Sequence, residues 1–284
     1  MKAPSFAYSR PATLAEVLAL LQSHGGNARL LAGGQSLIAT LNLRLSSPEL
    51  LIDITGLPGL SGIKVDGGLL RIGALTTHRE LEMSADIARH LPLLAQAVPH
   101  VAHAAIRNMG TFGGSIAMAD PAAEYPACCV ALDAQFVIAG PAGERRMPAR
   151  AFFKGMYETA LKADEVLVAG EFKLQPGYRS CFLELARRHG DYAIVGVAAH
   201  GRFEGGRFGD VRLAFLGAGA APVLALRAVA AIEGKAFSPA TVAAAQAALD
   251  ADLDPSADLY SSAAAKRHLA RVLTGRALAA LAGS

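Results

Sequence analysis

Hydrophobic positions in the first hundred residues alternate between helical spacing and short unbroken runs. Apolar residues recur every three or four positions over 14–21, and Thr13 with Glu16 forms a capping box that opens this predicted helix. Thr77 and Glu80 repeat the capping box further on. Short apolar runs predict buried strands at 28–32, 50–54 and 69–72. This alternation of strand and helix signals is typical of an α/β or α+β domain.

The pattern changes near residue 177, where Gln175-Pro176-Gly177 interrupts it. Before this point, strands are predicted at 135–139 and 166–174. Beyond it, three runs indicate antiparallel strands, at 181–187, 194–203 and 211–216. Alanine-rich helices are then predicted at 224–232, 239–249 and 262–281. The economical interpretation is two domains, residues 1–177 and 178–284.

Composition narrows the class of protein. Of the 284 residues, 52% are hydrophobic and 18% charged, which excludes a disordered chain. The 27 Lys and Arg nearly balance the 24 Asp and Glu, and they are scattered, so nucleic acid is not an expected partner. We find neither a signal-peptide pattern nor an uninterrupted apolar stretch of about 20 residues, so we expect no membrane span and a cytoplasmic location. Three cysteines are too few for an iron–sulfur cluster, which needs about four ligands.

Two glycine-rich segments carry the candidate chemistry, LLAGGQSL at 30–37 and IRNMGTFGGSI at 106–116. Glycine allows the backbone to approach a ligand and lets successive amides converge on an anion. Ser36, Thr111 and Ser115 could add hydroxyl donors. A diphosphate held between the two segments is one interpretation; tight strand-to-helix turns are the other.

An acidic segment, DPAAE at 120–124, follows the second glycine segment. A carboxylate here could accept hydrogen bonds from ribose hydroxyls, although Asp120 as a helix N-cap with Pro121 behind it explains the first acid equally well. A further segment, GAGAAP at 217–222, resembles a dinucleotide fingerprint, but Pro222 replaces its last glycine and no acid lies about 20 residues on. We interpret it as a structural turn.

Both glycine segments, together with DPAAE, resemble the FAD-binding medium subunit of the molybdenum hydroxylases, the family of xanthine dehydrogenase and carbon monoxide dehydrogenase. RHGDYAIVGV at 188–197 resembles the start of that subunit's C-terminal domain. The resemblance spans essentially the whole chain. It implies an α+β fold: a vanillyl-alcohol-oxidase-type (PCMH-type) FAD-binding domain of two α/β subdomains, then a C-terminal three-stranded antiparallel sheet with helices.

The resemblance also implies a set of FAD contacts. The glycine segments hold the diphosphate, mostly through backbone amides, an acid meets the adenosine end, and apolar and aromatic side chains lie near the flavin. The corresponding residues of the first segment are Arg29, Leu30, Leu31, Ala32, Gly33, Gly34, Gln35 and Ser36. Those of the second are Gly110, Thr111, Gly113, Gly114 and Ser115. The remaining positions are Val101, Asp120, Glu124 (adenosine end), Val166 and Leu167 (apolar contact) and Tyr192 (isoalloxazine ring).

The function implied is electron transfer within a complex. Electrons would pass from a molybdenum cofactor in a large subunit, through [2Fe-2S] clusters in a small subunit, to FAD in this chain and on to an external acceptor. We expect a heterotrimer or a dimer of heterotrimers, with no catalytic acid or base and no metal ligand in this chain. One departure is that some relatives carry a lysine near Leu183, where this chain has Leu183 and Glu184. A stand-alone FAD-dependent oxidase and a non-enzymatic nucleotide-binding module are the alternatives.

Overall fold

Fourteen strands and twelve α-helices follow one another along residues 2–283, the part of the chain that the computed structural model describes. The strands are β1 (Ala7–Ser9), β2 (Ala28–Leu31), β3 (Leu50–Asp53), β4 (Ile63–Asp66), β5 (Leu69–Gly73), β6 (Gln135–Gly140), β7 (Gly143–Pro148), β8 (Phe153–Gly155), β9 (Glu158–Thr159), β10 (Val166–Lys173), β11 (Arg179–Ala186), β12 (Ala193–Glu204), β13 (Arg207–Leu216) and β14 (Val223–Leu224). The helices are α1 (Leu14–His24), α2 (Leu37–Asn42), α3 (His78–Met83), α4 (Ala85–His90), α5 (Pro92–Ala97), α6 (Ala104–Arg107), α7 (Phe112–Met118), α8 (Glu124–Ala131), α9 (Ala149–Phe152), α10 (Leu226–Ile232), α11 (Pro239–Ala248) and α12 (Ala263–Ala282). Short 3₁₀ helices occupy Gly25–Asn27, Val98–His100 and Leu249–Ala251.

The first subdomain is built on a parallel sheet with the strand order β1-β3-β2. Helix α1 covers it through the buried side chains of Val17 and Leu21. Both predicted capping boxes are present, at Thr13 before α1 and at Thr77 before α3. In each, the threonine hydroxyl accepts from the third amide of the helix while the glutamate returns to the cap amide, so local sequence fixes where the helix begins.

The second subdomain is an antiparallel sheet with the order β4-β5-β10-β6-β7. Its central strand, β10, is buried at every residue but the last, which is why its first five residues, Val166 to Gly170, are all apolar rather than alternating. Helices α3 to α8 connect β5 to β6. This connection carries the second glycine segment and the acidic segment that follows it.

The C-terminal half is a sheet with the order β11-β12-β13-β14, packed against α10, α11 and α12. The three antiparallel strands of the predicted fold are confirmed. Gly205 and Gly206, with φ of 56° and 76°, form the tight hairpin between β12 and β13. The sequence did not predict the two-residue β14, which pairs with β13 and delays the start of α10 to Leu226. The expected helix start at 224 was therefore early by two residues.

One of the hydrophobic clusters spans the two halves. Side chains of β11 to β13, among them Phe182, Ala198 and Ala214, belong to the same buried cluster as those of α5 and α8. Gln96 accepts a hydrogen bond from the amide of Phe182 at 2.9 Å and donates one to the carbonyl of Ser180 at 3.2 Å. A boundary near residue 177 therefore separates elements that pack closely together, and its exact position stays a prediction.

The segment 217–222 packs as a turn. Gly217 has φ of 70°, its amide donates to the carbonyl of Pro121 at 2.8 Å, and a Cβ there would lie 2.6 Å from the carbonyl oxygen of Ile194. Glycine is required at this position by backbone packing. Among the helices described between residues 2 and 283, none is long and apolar enough to cross a membrane.

Candidate functional site

The first glycine segment connects β2 to α2 and forms an anion cradle. Within the described residues, the amides of Gly33, Gly34, Gln35, Ser36 and Leu37 have no protein acceptor. Gly34 has φ of 71°, which curves the chain, and the side-chain amide of Gln35 closes the turn by donating to the carbonyl of Gly33 at 2.8 Å. Consecutive unpaired amides in such a turn form a concave site for an anion.

The second glycine segment has a different role, because most of its amides are used inside the protein. Those of Phe112 and Gly113 donate to the carbonyls of Thr76 and Ala74, each at 2.8 Å. The amide of Gly114 donates to the hydroxyl of Thr111 at 3.1 Å, which caps α7. We expected both segments to offer free backbone amides to an anion. In the structure the free amides lie mainly in the first segment.

The glycines of the second segment allow close packing. A Cβ on Gly113 would lie 2.8 Å from the Cα of Ala74, and one on Gly110 would lie 2.7 Å from Nε2 of His78. The hydroxyl of Ser115 has no protein partner among residues 2–283 and lines the same cavity as the cradle. This segment therefore forms a wall against which the cradle is held.

A cavity of about 700 Å³ lies between these segments and reaches the C-terminal half. Cofactor sites commonly enclose about 300–1,000 Å³. Its lining combines both glycine segments with the turn before α8, the start of β10 and the loop 190–192. Every predicted site residue lines this cavity except Leu31. Leu31 lies on β2, where it pairs with Asp53 of β3.

Asp120 forms a turn and is not a helix N-cap. Its Oδ1 accepts from the amide of Ala122 at 2.9 Å, and its Oδ2 accepts from the hydroxyl of Tyr157 at 3.3 Å. Helix α8 begins only at Glu124, with Ala123 as its cap. Burial and then the Asp120 charge raise the pKa of Tyr157, so this phenol remains a donor at neutral pH. The N-cap interpretation of Asp120 is therefore wrong; the residue lines the cavity, and its contact with a ribose stays a prediction.

Glu124 is the most strongly perturbed acid in the cavity wall. It is 8% exposed, and burial is the main reason that its pKa rises to about 8. Val166 and Leu167 supply a buried apolar surface at the start of β10, whereas Tyr192 is 71% exposed at the rim. The cavity therefore has an anion cradle, acidic groups, an apolar wall and an exposed aromatic ring.

Among the cavity-lining side chains that sequence reasoning missed are His78 and Tyr157. His78 is almost completely buried, and burial together with the charge of Arg107 lowers its pKa to about 4, so the imidazole is neutral. Tyr157 has φ of 58°. The capping box at Thr77 placed His78 at a helix start, but nothing local indicated that its ring would face the second glycine segment.

The residues present fit FAD. Five unpaired amides in the cradle suit a diphosphate, hydroxyls and carboxyls suit a ribose, and the apolar wall suits flat rings. Within residues 2–283, no group of three His, Cys, Asp or Glu side chains converges as a metal site.

Comparison with known proteins identifies the family. Residues 4–171 match the FAD binding domain in molybdopterin dehydrogenase, and residues 180–281 match the CO dehydrogenase flavoprotein C-terminal domain. The carbon monoxide dehydrogenase medium chain of Hydrogenophaga pseudoflava is 38% identical over 97% of this chain and 96% of its own length. The 6-hydroxypseudooxynicotine dehydrogenase complex subunit alpha of Paenarthrobacter nicotinovorans is 37% identical over 98% and 95%.

Solved structures agree. In the carbon monoxide dehydrogenase of Hydrogenophaga pseudoflava that lacks the Mo-pyranopterin moiety of its molybdenum cofactor, one chain superposes with a TM-score of 0.97. That chain is 39% identical, and the match covers 99% of this chain and 98% of that one. The predicted resemblance, fold and cofactor are confirmed. The chain belongs to the family of FAD-binding medium subunits of the molybdenum hydroxylases.

Proposed function

We propose that this chain is the electron-transferring flavoprotein subunit of a molybdenum-containing hydroxylase or dehydrogenase. A molybdenum cofactor in a large subunit reduces iron–sulfur clusters in a small subunit, and these clusters pass the electrons to this chain. The chain then delivers the electrons to an external acceptor. The observation that carries the proposal is the single cavity shared by both halves, with a free amide cradle at one side and an exposed aromatic ring at its rim. The relatives that match over the full chain include medium chains of dehydrogenases, which supports it.

We propose that the first glycine segment, from Arg29 to Ser36, holds the diphosphate. The amides of Gly33 to Leu37 donate to it, and the hydroxyl of Ser115 adds a donor from the opposite segment. Asp120 and Glu124 face the ribose hydroxyls, while Val101, Val166, Leu167 and Tyr192 exclude water from the rings. When bound, FAD supplies the redox chemistry, and the chain supplies orientation and electrostatics.

The proposed assembly is a heterotrimer or a dimer of heterotrimers in the cytoplasm. This chain's three cysteines, Cys128, Cys129 and Cys181, are buried, and burial raises the pKa of each thiol, so they do not act as cluster ligands here. Iron–sulfur clusters therefore require a partner chain. Because the net charge is only +3, we propose that the docking surface is of mixed polar and apolar character. The complex should then remain associated at moderate salt concentrations, since salt chiefly screens exposed charge pairs.

Purification of the chain under its own promoter tests this proposal. We expect two further subunits to co-purify, with flavin, iron and molybdenum in the isolated complex and the absorption bands of flavin and iron–sulfur clusters. A chain that is isolated alone, free of both metals, and that oxidises an organic substrate would favour a stand-alone oxidase. A chain that takes up no flavin would favour a nucleotide-binding module without redox function.

A further inference from the structure

The loop between β11 and β12, residues 187–192, carries Tyr192 to the mouth of the cofactor cavity. Tyr192 is 71% exposed, so side-chain packing does little to hold its ring in place. Surface loops that nothing else holds move on the nanosecond to microsecond timescale. The position of the ring therefore depends on how firmly the backbone of this loop is fixed.

The middle of the loop is held by backbone contact. Gly190 has φ of 77°, and a Cβ there would lie 2.8 Å from the carbonyl oxygen of Ala102 and from the ring of His103. Gly190 therefore lies directly against the turn before α6. The residues on either side of Gly190 are held differently, by side chains.

Asp191 joins the two ends of the loop. Its Oδ1 accepts from the amide of Tyr192 at 3.0 Å, and its Oδ2 accepts from Nη2 of Arg187 at 2.9 Å. The amide of Asp191 donates to the carbonyl of Arg188 at 3.2 Å. One carboxylate, only 15% exposed, thus connects the first residue of the loop to the residue that carries the exposed ring.

The Arg187 guanidinium is held in turn by a distant segment, 258–261, which precedes α12. Its Cζ lies 3.7 Å from the centroid of the Tyr260 ring, in a cation–π contact. Asp258 accepts from the amide of Tyr260 at 2.8 Å and pairs with Nζ of Lys266 on α12, also at 2.8 Å. A continuous series of contacts therefore leads from α12 to the cavity mouth.

We propose that Tyr260 and Arg187 are positioning residues which, acting through Asp191, hold the ring of Tyr192 over the isoalloxazine end of bound FAD. These three residues, Tyr260, Arg187 and Asp191, form a brace for the loop. The inference rests on the proposed contact of Tyr192 with the flavin.

The chemistry of arginine explains why the brace is effective. A planar guanidinium can stack on an aromatic ring with its face while its edge donates to a carboxylate, and Arg187 does both. The two contacts together fix the direction from which Asp191 is bound. Tyr260 is itself 65% exposed, and cation–π contacts at exposed sites contribute little to overall stability, so the effect of the brace is local.

The motion of the ring can be measured directly, because the chain contains no tryptophan and Tyr192→Trp introduces a single fluorescent reporter. In the flavin-free full-length chain, time-resolved anisotropy separates nanosecond motion of the reporter from tumbling of the whole protein. We expect little fast depolarisation while the brace is intact. Adding Arg187→Gln or Tyr260→Ala should increase it to a similar extent, and the double variant should go no further, because both changes remove the same contact.

The native tyrosine gives a second measurement, in the FAD-containing protein. An aromatic ring in contact with isoalloxazine quenches flavin fluorescence at short range, so the emission lifetime reports on the distance between ring and flavin. Tyr192→Leu gives the lifetime without the ring. Arg187→Gln and Tyr260→Ala should lengthen the lifetime toward that value, whereas Tyr260→Phe, which keeps the face of the ring, should preserve the wild-type lifetime.

Arg271→Gln is the matched control. Arg271 lies on α12 in the same half of the chain, pairs with Asp250 and is outside the cavity lining, so its replacement should change neither measurement. Thermal unfolding of each variant confirms that it is folded.

The inference would be overturned if Arg187→Gln and Tyr260→Ala left both the reporter anisotropy and the flavin lifetime at their wild-type values. A lifetime that Tyr192→Leu also left unchanged would instead overturn the proposed contact of Tyr192 with the flavin, and with it this role of the brace. Failure of the wild-type chain to bind FAD would overturn the proposed function, while the anisotropy of the flavin-free chain would still test the brace.

Discussion

The Cα of Gly33 faces the Cα of Gly110 so closely that a Cβ built on Gly33 would lie 2.8 Å from the latter and would overlap the carbonyl oxygen of Met109. The two glycine segments are therefore packed backbone against backbone. Sequence reasoning assigned Gly33 to the approach of a phosphate. The structure adds a second requirement, because the cradle keeps its position only while no side chain at residue 33 separates it from the second glycine segment.

Gly33→Ala should consequently separate the two segments. We expect a loss of about 1–3 kcal/mol in the free energy of unfolding, as for other overpacked contacts, together with a clear loss of FAD affinity. Urea unfolding and FAD titration measure the two effects. Gly26→Ala is the matched control, since a Cβ there meets nothing within 4 Å, and it should change stability by less than about 1 kcal/mol with no change in FAD affinity.

Arg107 should stabilise the part of the cavity wall that Val101 and Ala102 form. It is buried, it pairs with Glu82 at 3.2 Å, and it donates to the carbonyls of Val101 and Ala102 at 3.1 and 3.0 Å. Arg107→Gln should lower the free energy of unfolding by about 1–3 kcal/mol, because it leaves the carbonyls of Val101 and Ala102 without this donor.

The control for Arg107 is Arg150, which pairs with Asp133 at the surface. Arg150→Gln should cost at most about 1 kcal/mol, because exposed ion pairs contribute little. Denaturant unfolding of both variants at pH 7 gives the comparison. Equal losses in the free energy of unfolding for the two variants would show that Arg107 does not stabilise the wall of the cavity.

Stability should decrease in mild acid because two histidines are buried in the neutral form. Burial is the main cause that lowers the pKa of both His78 and His200 to about 4, below the unfolded value of 6.5. The unfolded chain therefore binds more protons between pH 6.5 and pH 4, so the free energy of unfolding falls as the pH falls through that range.

The slope should approach about 1.4 kcal/mol per pH unit for each histidine, and it is measured by urea unfolding at pH 7, 6 and 5. His200→Gln should make the slope shallower by removing one of the two contributions. His200 bonds Ser180 and Gln175 outside the cavity, so FAD affinity at pH 7 should be unchanged. A stability that is constant from pH 7 to pH 5 would contradict this account.

FAD should be bound without a covalent link. Acid precipitation of the purified protein is expected to leave a yellow supernatant that contains FAD rather than FMN, as chromatography of the released flavin would show. The histidine in the wall of the cavity is His78, which is almost fully buried against Gly110. Flavin that remains with the precipitate would contradict the prediction, and His78→Gln would then show whether this residue forms the link.

The sequence alone determined the features that depend on neighbours along the chain. Thr13 and Thr77 start helices because each caps with a glutamate three residues on, and Gly205-Gly206 turns a hairpin because both residues adopt positive φ. The glycine segments and DPAAE were long enough as motifs to identify the family and its cofactor. These signals are local, and so they can be read without the fold.

The tertiary structure decided what depends on residues far apart in sequence. It showed that the amides of the second glycine segment donate within the protein, that Leu31 lies outside the cavity, and that β14 pairs with β13. It also brought His100 to Glu184, 84 positions away. Burial, backbone contact and the spacing of charges arise only when distant segments pack together, and no local pattern encodes them.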